Sequence, residues 1–358
     1  MSEILCAQIK RRLPFRLEHL PWLGRIYRFP FDRFDSLTRQ LVFGAPNLAL
    51  VMLLQRLCPF AVLGSFSFDG QAGRRLVPFD AKNTQFSALY LRMFEHGYEP
   101  QASALVDLLV PDEGVFLDVG SNWGWFSLLV ASRPGFRGKI HAFEPMASTY
   151  ADLKGVVREA GCDQIIECHQ VALSASSGSG TMQLPDGLNS GQATLVLNSS
   201  PNGAATQSSI CVRAMDDVVS GRVDFIKIDA EGHESQVLLG AKRVLGQACP
   251  YLLIENGRST HLPGKALRPL EILEEYGYSL FHMSWLKAIQ GRFYLTGDDH
   301  DPDPQEVEQL ALVPLQPHER FLHHDGMNIF ACHQSRMSEL LHRFQSTRLR
   351  PGPGASVA

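Results

Sequence analysis

Residues 115–126 of this chain read Val115-Phe116-Leu117-Asp118-Val119-Gly120-Ser121-Asn122-Trp123-Gly124-Trp125-Phe126. A short apolar run that turns on glycines and continues as a helix is typical of doubly wound α/β domains, which hold nucleotide-like ligands at the helix N-terminus. The spacing of Gly120 and Gly124 is GxxxG, which differs from the GxGxxG of dinucleotide-binding domains. Because Asp118 would repel a pyrophosphate, the loop favours a ligand with a positive charge, such as the amino group of S-adenosylmethionine.

Further apolar segments end in acidic residues, as strands of the same sheet would. Glu144 follows the strand predicted at 139–143, about 20 residues after the glycine loop, where a carboxylate can accept hydrogen bonds from both hydroxyls of a ribose. A third strand is predicted from Ile165 to Leu173, with its end near an adenine. Since ligands bind at the carboxyl ends of parallel strands, the terminal acids should surround one pocket. The remaining strands and their acids are 223–228 with Asp229, and 251–254 with Glu255.

Together these segments resemble the FkbM family of S-adenosylmethionine-dependent methyltransferases. The resemblance implies a Rossmann-like class I methyltransferase fold of the α/β class, with a doubly wound sheet of seven strands. Strands six and seven are predicted at Tyr278–Met283 and Met327–Cys332, and the seventh is expected to be antiparallel. The blocks that carry the resemblance lie between residues 86 and 255: Tyr98-Glu99-Pro100, Phe116 to Gly124, Phe143-Glu144-Pro145, Val171-Ala172-Leu173, Asn189-Ser190-Gly191, Ile226 to Glu234, and Gly240-Ala241.

The resemblance also assigns the cofactor contacts by position. Glu144 is expected at the ribose and Ala172 near the purine. The chain departs from the usual family pattern in Ser121, where alanine is common, and in Trp123 and Trp125, which we expect to be packing residues more than substrate stackers. The contacts expected at the methionine end of S-adenosylmethionine are Asp118, Gly120, Asn122 and Gly124.

A charged cluster after the fourth strand supplies the catalytic candidates Asp229, Glu231 and His233. Methyl transfer depends on holding the nucleophile against the methyl group, and an alcohol acceptor must also lose a proton to a carboxylate or imidazole within reach. Proton acceptance by Asp229 or His233 is the preferred prediction. Glu234 is expected to stabilise a helix N-terminus instead.

No metal is predicted, although one alternative stays open at this point. A magnesium or calcium ion could be held by oxygen ligands from Asp229, Glu231 or Glu255 together with Asn256. Lys227, whose side chain points away from those of its neighbours in the strand, is expected to form a structural salt bridge.

Bulk composition limits the partners. A net charge of −4 argues against nucleic acid, which requires a basic surface. No apolar window is long and unbroken enough to predict a transmembrane segment, and residues 1–20 carry charges unlike those of a signal peptide. The seven cysteines form no CxxC pair, which is typical of the reducing cytoplasm. The oligomeric state has no signature in the sequence.

The chain is predicted to fall into three parts. Residues 1–100 form a helical lead and a hairpin, whose strands Gly64–Phe68 and Arg74–Phe79 flank a strong turn signal. Residues 101–335 form the cofactor-binding domain, within which the insertion Ser174–Ser209 is expected to form short strands and a loop over the acceptor pocket. Residues 336–358 form a C-terminal helix and a disordered tail.

The resemblance implies O-methylation of a hydroxyl on a sugar, glycan or other small molecule. A non-catalytic binding or assembly protein that keeps the cofactor fold is the alternative from a different class, and turnover would distinguish it. A nicotinamide-dependent oxidoreductase shares the architecture but is disfavoured, because the loop lacks GxGxxG.

Overall fold

The computed structural model describes residues 4–33, 60–183, 194–196, 207–257, 263–289, 292–296, 307–323 and 326–347, together with 50, 53, 54, 57 and 58. The Asn189-Ser190-Gly191 turn, most of the Ser174–Ser209 loop and the tail from Arg350 onward lie outside the described residues.

The described residues form strands and helices along the whole chain. The strands are β1 Ile4–Lys10, β2 Phe15–His19, β3 Leu63–Gly70, β4 Gly73–Asp80, β5 Val115–Val119, β6 Lys139–Phe143, β7 Ile166–His169, β8 Ala172–Leu173, β9 Gly178–Gln183, β10 Thr194–Val196, β11 Gln207–Arg213, β12 Phe225–Ile228, β13 Tyr251–Asn256, β14 Tyr278–Ile289, β15 Arg292–Thr296, β16 Val307–Leu315, β17 Met327–His333 and β18 Gln345–Thr347. The α-helices are α1 Trp22–Arg33, α2 Pro100–Leu109, α3 Trp125–Ala131, α4 Ala147–Glu159, α5 Met215–Val218, α6 Glu234–Leu239, α7 Pro263–Glu275 and α8 Met337–Arg343.

The main sheet has the doubly wound order expected of a Rossmann-like methyltransferase. Its strands run β7-β6-β5-β12-β13-β17-β14, and those from β7 to β13 are parallel. Strand β17 is antiparallel to both β13 and β14, so the predicted antiparallel seventh strand is confirmed. Successive side chains of β5 enter different buried clusters, with Phe116 in one and Leu117 in the other, because residues of a strand alternate between the faces of the sheet.

The sheet is larger than the seven strands predicted from sequence. Beyond β14 it continues through β16, β1 and β18, and β15 also pairs with β14, which gives eleven strands in the described residues. Strand β1 lies in a segment predicted to be a helical lead. Residues Ile4 to Ala7 are all buried, because β1 pairs on both sides and both of its faces are covered. Such a strand lacks the alternating pattern that identifies strands in a sequence.

The predicted third strand, Ile165–Leu173, is interrupted. Its first part is β7, at the edge of the main sheet, whereas Ala172 and Leu173 form β8 and pair in parallel with Val212 and Arg213 of β11. The chain therefore changes sheets after His169, because β8 finds its hydrogen-bonding partner in the smaller sheet β10-β9-β11-β8.

The N-terminal hairpin is confirmed. Strands β3 and β4 pair from Leu63↔Asp80 to Gly70↔Gly73, and the turn ends at Gly73, whose φ of +98° suits glycine. Strand β2 extends the hairpin into a three-stranded sheet. Phe66 of this sheet packs edge-on against Trp123, with ring centroids 5.8 Å apart, so the hairpin supports the residues after the glycine loop.

Candidate functional site

A cavity of about 270 Å³ opens at the carboxyl ends of β5, β6, β8 and β12. Most of the residues predicted to bind cofactor or to act in catalysis line this cavity. Asp118 and Gly124 do not line it but hold the loop from behind. The predicted residues in the lining are Gly120, Asn122, Glu144, Ala172, Asp229, Glu231 and His233.

The glycine loop is fixed by backbone contacts that exclude a side chain at Gly120. The N–H groups of Gly120 and Ser121 both donate to the carbonyl oxygen of Phe143 at 3.0 Å. Gly120 has φ of +74°, and a Cβ there would lie 1.8 Å from the carbonyl oxygen of Asp229. Asn122 and Gly124 also have positive φ, of +50° and +97°, so the backbone curls before α3 begins.

Asp118 is buried and points toward α3. Its Oδ2 accepts hydrogen bonds from the hydroxyl of Ser127 at 2.6 Å and from the Ser127 N–H at 3.1 Å, which ties the end of β5 to the helix. Burial raises the pKa of Asp118, and Lys227 opposes that rise. Its predicted contact with a ligand amino group therefore rests on Oδ1, the oxygen that Ser127 leaves free.

Glu144 is held at the cavity wall by two backbone donors. The N–H groups of Asn122 and Met146 donate to its Oε2 and Oε1 at 3.1 and 2.9 Å. Burial raises the pKa of Glu144 to about 7, although both hydrogen bonds act in the opposite direction. Each carboxylate oxygen keeps further acceptor capacity, so the side chain can accept hydrogen bonds from a diol.

Three buried polar atoms around the glycine loop have no hydrogen-bond partner among the described residues. They are Asp118 Oδ1, Ser121 Oγ and Asn122 Oδ1. Because buried polar groups in folded proteins are nearly always satisfied, the glycine loop and the strand end behind it suit a polar ligand.

Lys227 forms the predicted salt bridge, and it also lines the cavity, which its sequence position did not reveal. Its Nζ donates to Asp229 Oδ2 at 2.9 Å and lies 4.9 Å from the ring centroid of Phe126. Burial opposes the charge of this ammonium, yet the surrounding carboxylates outweigh burial and raise the pKa of Lys227. The surrounding carboxylates therefore favour the charged form of Lys227 in the cavity wall.

Two further carboxyl groups lie near Lys227: Glu255, one of the strand-end acids expected around the pocket, and Glu99, to which the sequence assigned no role. Burial first, and then the charges of Asp229 and Glu99, raise the pKa of Glu255 to about 10, so it carries a proton at neutral pH. Burial likewise raises the pKa of Glu99, whose Oε2 accepts from Asn328 Nδ2 at 3.0 Å. The resemblance singled out Tyr98-Glu99-Pro100 without a role, and only the fold brings it near Asp229.

Glu231 and His233 follow Asp229 in the chain and line the same cavity. Burial, followed by the charges of Asp229 and Glu234, raises the pKa of Glu231 to about 7, and its φ of +48° is unusual for a residue other than glycine. His233 Nε2 lies 3.0 Å from the hydroxyl oxygen of Ser174, and burial lowers its pKa, so its ring is neutral at neutral pH. Glu234 is the first residue of α6, as predicted for a helix start, and accepts from the Gly232 and Ala230 N–H groups of the preceding turn at 2.9 and 3.2 Å.

The described residues do not bring together the oxygen ligands of the alternative metal site, which were Asp229, Glu231 or Glu255 together with Asn256. Asn256, a ligand in that alternative, is engaged elsewhere, since its Oδ1 accepts from Arg320 Nε at 2.6 Å and its Nδ2 donates to the Ala266 carbonyl. Asp229, Glu231 and Glu255 also do not group their oxygens closely enough to hold one ion.

The two tryptophans are packing residues, as predicted, and they also contribute to the cavity wall. Trp123 is 3% exposed, stacks on Phe86 at 5.1 Å and donates its indole N–H to the Gln85 carbonyl. Trp125 is 6% exposed and donates to the Ser103 hydroxyl at 3.0 Å. These contacts anchor the loop and give one side of the cavity an aromatic wall.

Solved structures of methyltransferases are similar to parts of this chain. A methyltransferase FkbM from Methylobacillus flagellatus is 18% identical, with a TM-score of 0.35, and the match covers 56% of this chain and 44% of that one. An O-methyltransferase from Bacillus cereus in complex with S-adenosylhomocysteine is 13% identical, with a TM-score of 0.34. That match covers 61% of this chain and 83% of the O-methyltransferase chain. Aeropyrum pernix fibrillarin with bound S-adenosyl-L-methionine is 15% identical, with a TM-score of 0.30. That match covers 70% of this chain and 94% of the fibrillarin chain.

The family comparison identifies the domain that contains the site. A search of curated proteins finds no match to this chain. The family described as "Methyltransferase FkbM domain" matches residues 118–280, which span the glycine loop, Glu144 and the Asp229 cluster. Residues 118–280 of this chain therefore form a domain of the methyltransferase FkbM family.

Proposed function

We propose that this protein is an S-adenosylmethionine-dependent methyltransferase that methylates a hydroxyl of a sugar or another small molecule. The observation that carries the proposal is the cavity in which the glycine loop, Glu144 and the Asp229 cluster meet at the carboxyl ends of the strands. The O-methyl assignment rests on the family resemblance and on the proton acceptors in the wall.

The residues around the loop fit the proposed cofactor. Glu144 would accept hydrogen bonds from the ribose hydroxyls, and Ala172 would contact the purine. At the methionine end, Asn122 Oδ1 and Asp118 Oδ1 are acceptors that suit an ammonium group, and Gly120 and Gly124 allow the backbone curl that exposes the loop. When bound, S-adenosylmethionine supplies an electrophilic methyl group.

The acceptor hydroxyl must be oriented and deprotonated. Lys227 holds Asp229 in place by an ion pair at 2.9 Å, so Asp229 is a fixed hydrogen-bond acceptor for that hydroxyl. Glu231 lines the cavity and is partly exposed, so it can pass a proton to solvent, while its partial burial raises its pKa to about 7. We therefore assign proton acceptance to Glu231, with His233, Asp229 and the aromatic wall positioning the acceptor.

Calorimetric titration tests the cofactor. We expect saturable binding of S-adenosylmethionine and no binding of NAD. Glu144→Ala should raise the Kd for S-adenosylmethionine about 10- to 100-fold, because a hydrogen bond to a charged group contributes roughly 1.5–3 kcal/mol. Glu274→Ala, at an exposed position of α7, is the matched control and should leave the Kd unchanged. Absence of binding to folded wild-type protein would overturn the methyltransferase proposal.

The pH dependence of turnover tests Glu231. At saturating S-adenosylmethionine, kcat should rise through about pH 7, because only the ionised carboxylate accepts a proton. Glu231→Gln should lower kcat roughly 10²- to 10⁴-fold and remove this rise. Release of S-adenosylhomocysteine, measured with a panel of sugars and alcohols, is the readout. An unchanged profile in Glu231→Gln would assign the base elsewhere, and cofactor binding without release from any acceptor would favour the non-catalytic alternative.

The proposed setting is the cytoplasm. All seven cysteines are free thiols, which supports a reducing compartment. Within the described part of the chain, no helix combines the length and the apolar character needed to span a bilayer. The proposed partner is a small-molecule or glycan acceptor, and the net charge of −4 gives no support to a nucleic-acid substrate.

A further inference from the structure

A second group of ligand-type side chains lies outside the cavity, on the two outer parallel strands of the main sheet. His141 belongs to β6, and Glu167 and His169 belong to β7, the edge strand. None of the three lines the cavity. We propose that His141, Glu167 and His169 form a binding site for one divalent transition-metal ion of the zinc class.

The distances between the ligand atoms fit a single ion. His141 Nδ1 lies 3.1 Å from His169 Nε2 and 3.5 Å from Glu167 Oε2, and His169 Nε2 lies 3.8 Å from Glu167 Oε1. Zinc binds histidine nitrogen and carboxylate oxygen at about 2.0–2.2 Å, so neighbouring ligands of a tetrahedral ion are about 3.3–3.5 Å apart. The two histidine nitrogens and the Glu167 carboxylate therefore already stand close to three corners of such a tetrahedron.

The backbone preorganises this geometry. The register pairs His141 with Glu167 directly across the parallel strands, and His169 is two residues further along β7, on the same face. A site on two hydrogen-bonded strands holds its ligands more firmly than one on a loop. His169 also stacks on Phe143, with ring centroids 4.7 Å apart and an interplanar angle of 16°, which limits rotation of its ring.

The charges and the exposure of the group suit a cation with an open coordination position. Glu167 supplies a carboxylate beside the two imidazoles, and Lys139 lies two residues before His141 on the same strand. Lys139 itself donates its Nζ to the Gln164 carbonyl at 2.8 Å. The side chain of Glu167 is 66% exposed, whereas those of His141 and His169 are 25% and 23% exposed, so water can reach a fourth position.

Zinc titration of the full chain, without a histidine tag and after removal of metal by chelation, tests the site. We expect calorimetry to show one Zn²⁺ per chain. Loss of a group that only orients a metal ligand weakens metal binding roughly 10- to 100-fold. His141→Ala and His169→Ala each remove a ligand itself, so each should weaken Zn²⁺ binding by more than that. Glu167→Gln should weaken binding in the same direction. His342→Ala, at an exposed position of α8, is the control and should bind as wild type does.

Cobalt substitution gives a second readout that does not depend on methyl transfer. The wild-type protein should give the intense visible absorption of tetrahedral Co²⁺, and the His141 and His169 variants should lose it while keeping the wild-type circular dichroism spectrum. Two results would overturn the proposal: failure of folded wild-type protein to bind Zn²⁺ or Co²⁺, or equal binding by wild type and the three cluster variants. Equal binding would place the ion elsewhere, for example at the free cysteines. If neither Zn²⁺ nor Co²⁺ binds, the three side chains interact only with one another and form no metal site.

Discussion

Gly120→Ala is expected to abolish cofactor binding and to destabilise the fold. A non-glycine residue at φ of +74° is itself disfavoured by roughly 1–3 kcal/mol. The added Cβ would also lie 1.8 Å from the carbonyl oxygen of Asp229, which is backbone and cannot rotate away. Relief requires the ends of β5 and β12 to separate, and these two ends carry the cofactor loop and the acceptor cluster, respectively.

Thermal unfolding and calorimetric titration with S-adenosylmethionine measure the two parts of this effect. The matched control is Gly155→Ala in α4, where an added Cβ meets no atom within 4 Å. Because alanine is favoured over glycine inside a helix by up to about 1 kcal/mol, the control should be slightly stabilised and should bind normally. Normal binding by Gly120→Ala would show that the close approach of the two strand ends is not needed by the site.

Lys227→Met is expected to be the most destabilising substitution of a charged residue in the site. The change keeps an unbranched side chain that is one atom shorter, but it removes the cation that lies among Asp229, Glu99, Asp118 and Glu255. Breaking a buried ion pair by removing one partner costs about 3–5 kcal/mol, since the other charge stays buried without compensation. We expect a loss of this size in the free energy of unfolding, measured with urea near pH 8.

The pH dependence of that loss has a definite sign. Without Lys227, burial should hold the carboxyl pKa values of Glu99, Asp118 and Glu255 even further above their values in the unfolded chain. A carboxyl group with a raised pKa keeps its proton in the fold and loses it on unfolding, so rising pH favours the unfolded state. The variant should therefore be closest to wild type near about pH 5 and lose stability more steeply than wild type toward about pH 9.

Two further variants separate this cause from simple loss of packing. Lys242→Met, at an exposed position, is the matched control and should leave stability unchanged. Adding Glu255→Gln to Lys227→Met should recover part of the loss, because it removes one of the uncompensated carboxyl groups and keeps a hydrogen-bond donor for Asp229. A loss that is independent of pH and of Glu255→Gln would contradict the electrostatic explanation.

The sequence by itself determined the features that depend on neighbouring residues. The run into Asp118, the GxxxG spacing and the acid after each apolar strand predicted the doubly wound sheet and the position of its ligand edge. Glu144 and Asp229 line the cavity as expected because a strand-end residue in a parallel sheet has little choice of location. The hairpin was equally local, since its strands are joined by a short turn.

The tertiary structure alone decided which side chains meet. Glu99, Lys227 and Glu255 come from separate segments, and their mutual effect on pKa values arises only when α2, β12 and β13 are brought together. The same holds for β1, which pairs with β16 about 300 residues later in the chain, and for the turn of Asp118 toward Ser127. Tertiary packing determines which distant segments pair. No local periodicity in the sequence encodes the partner of a strand or the direction of a buried carboxylate.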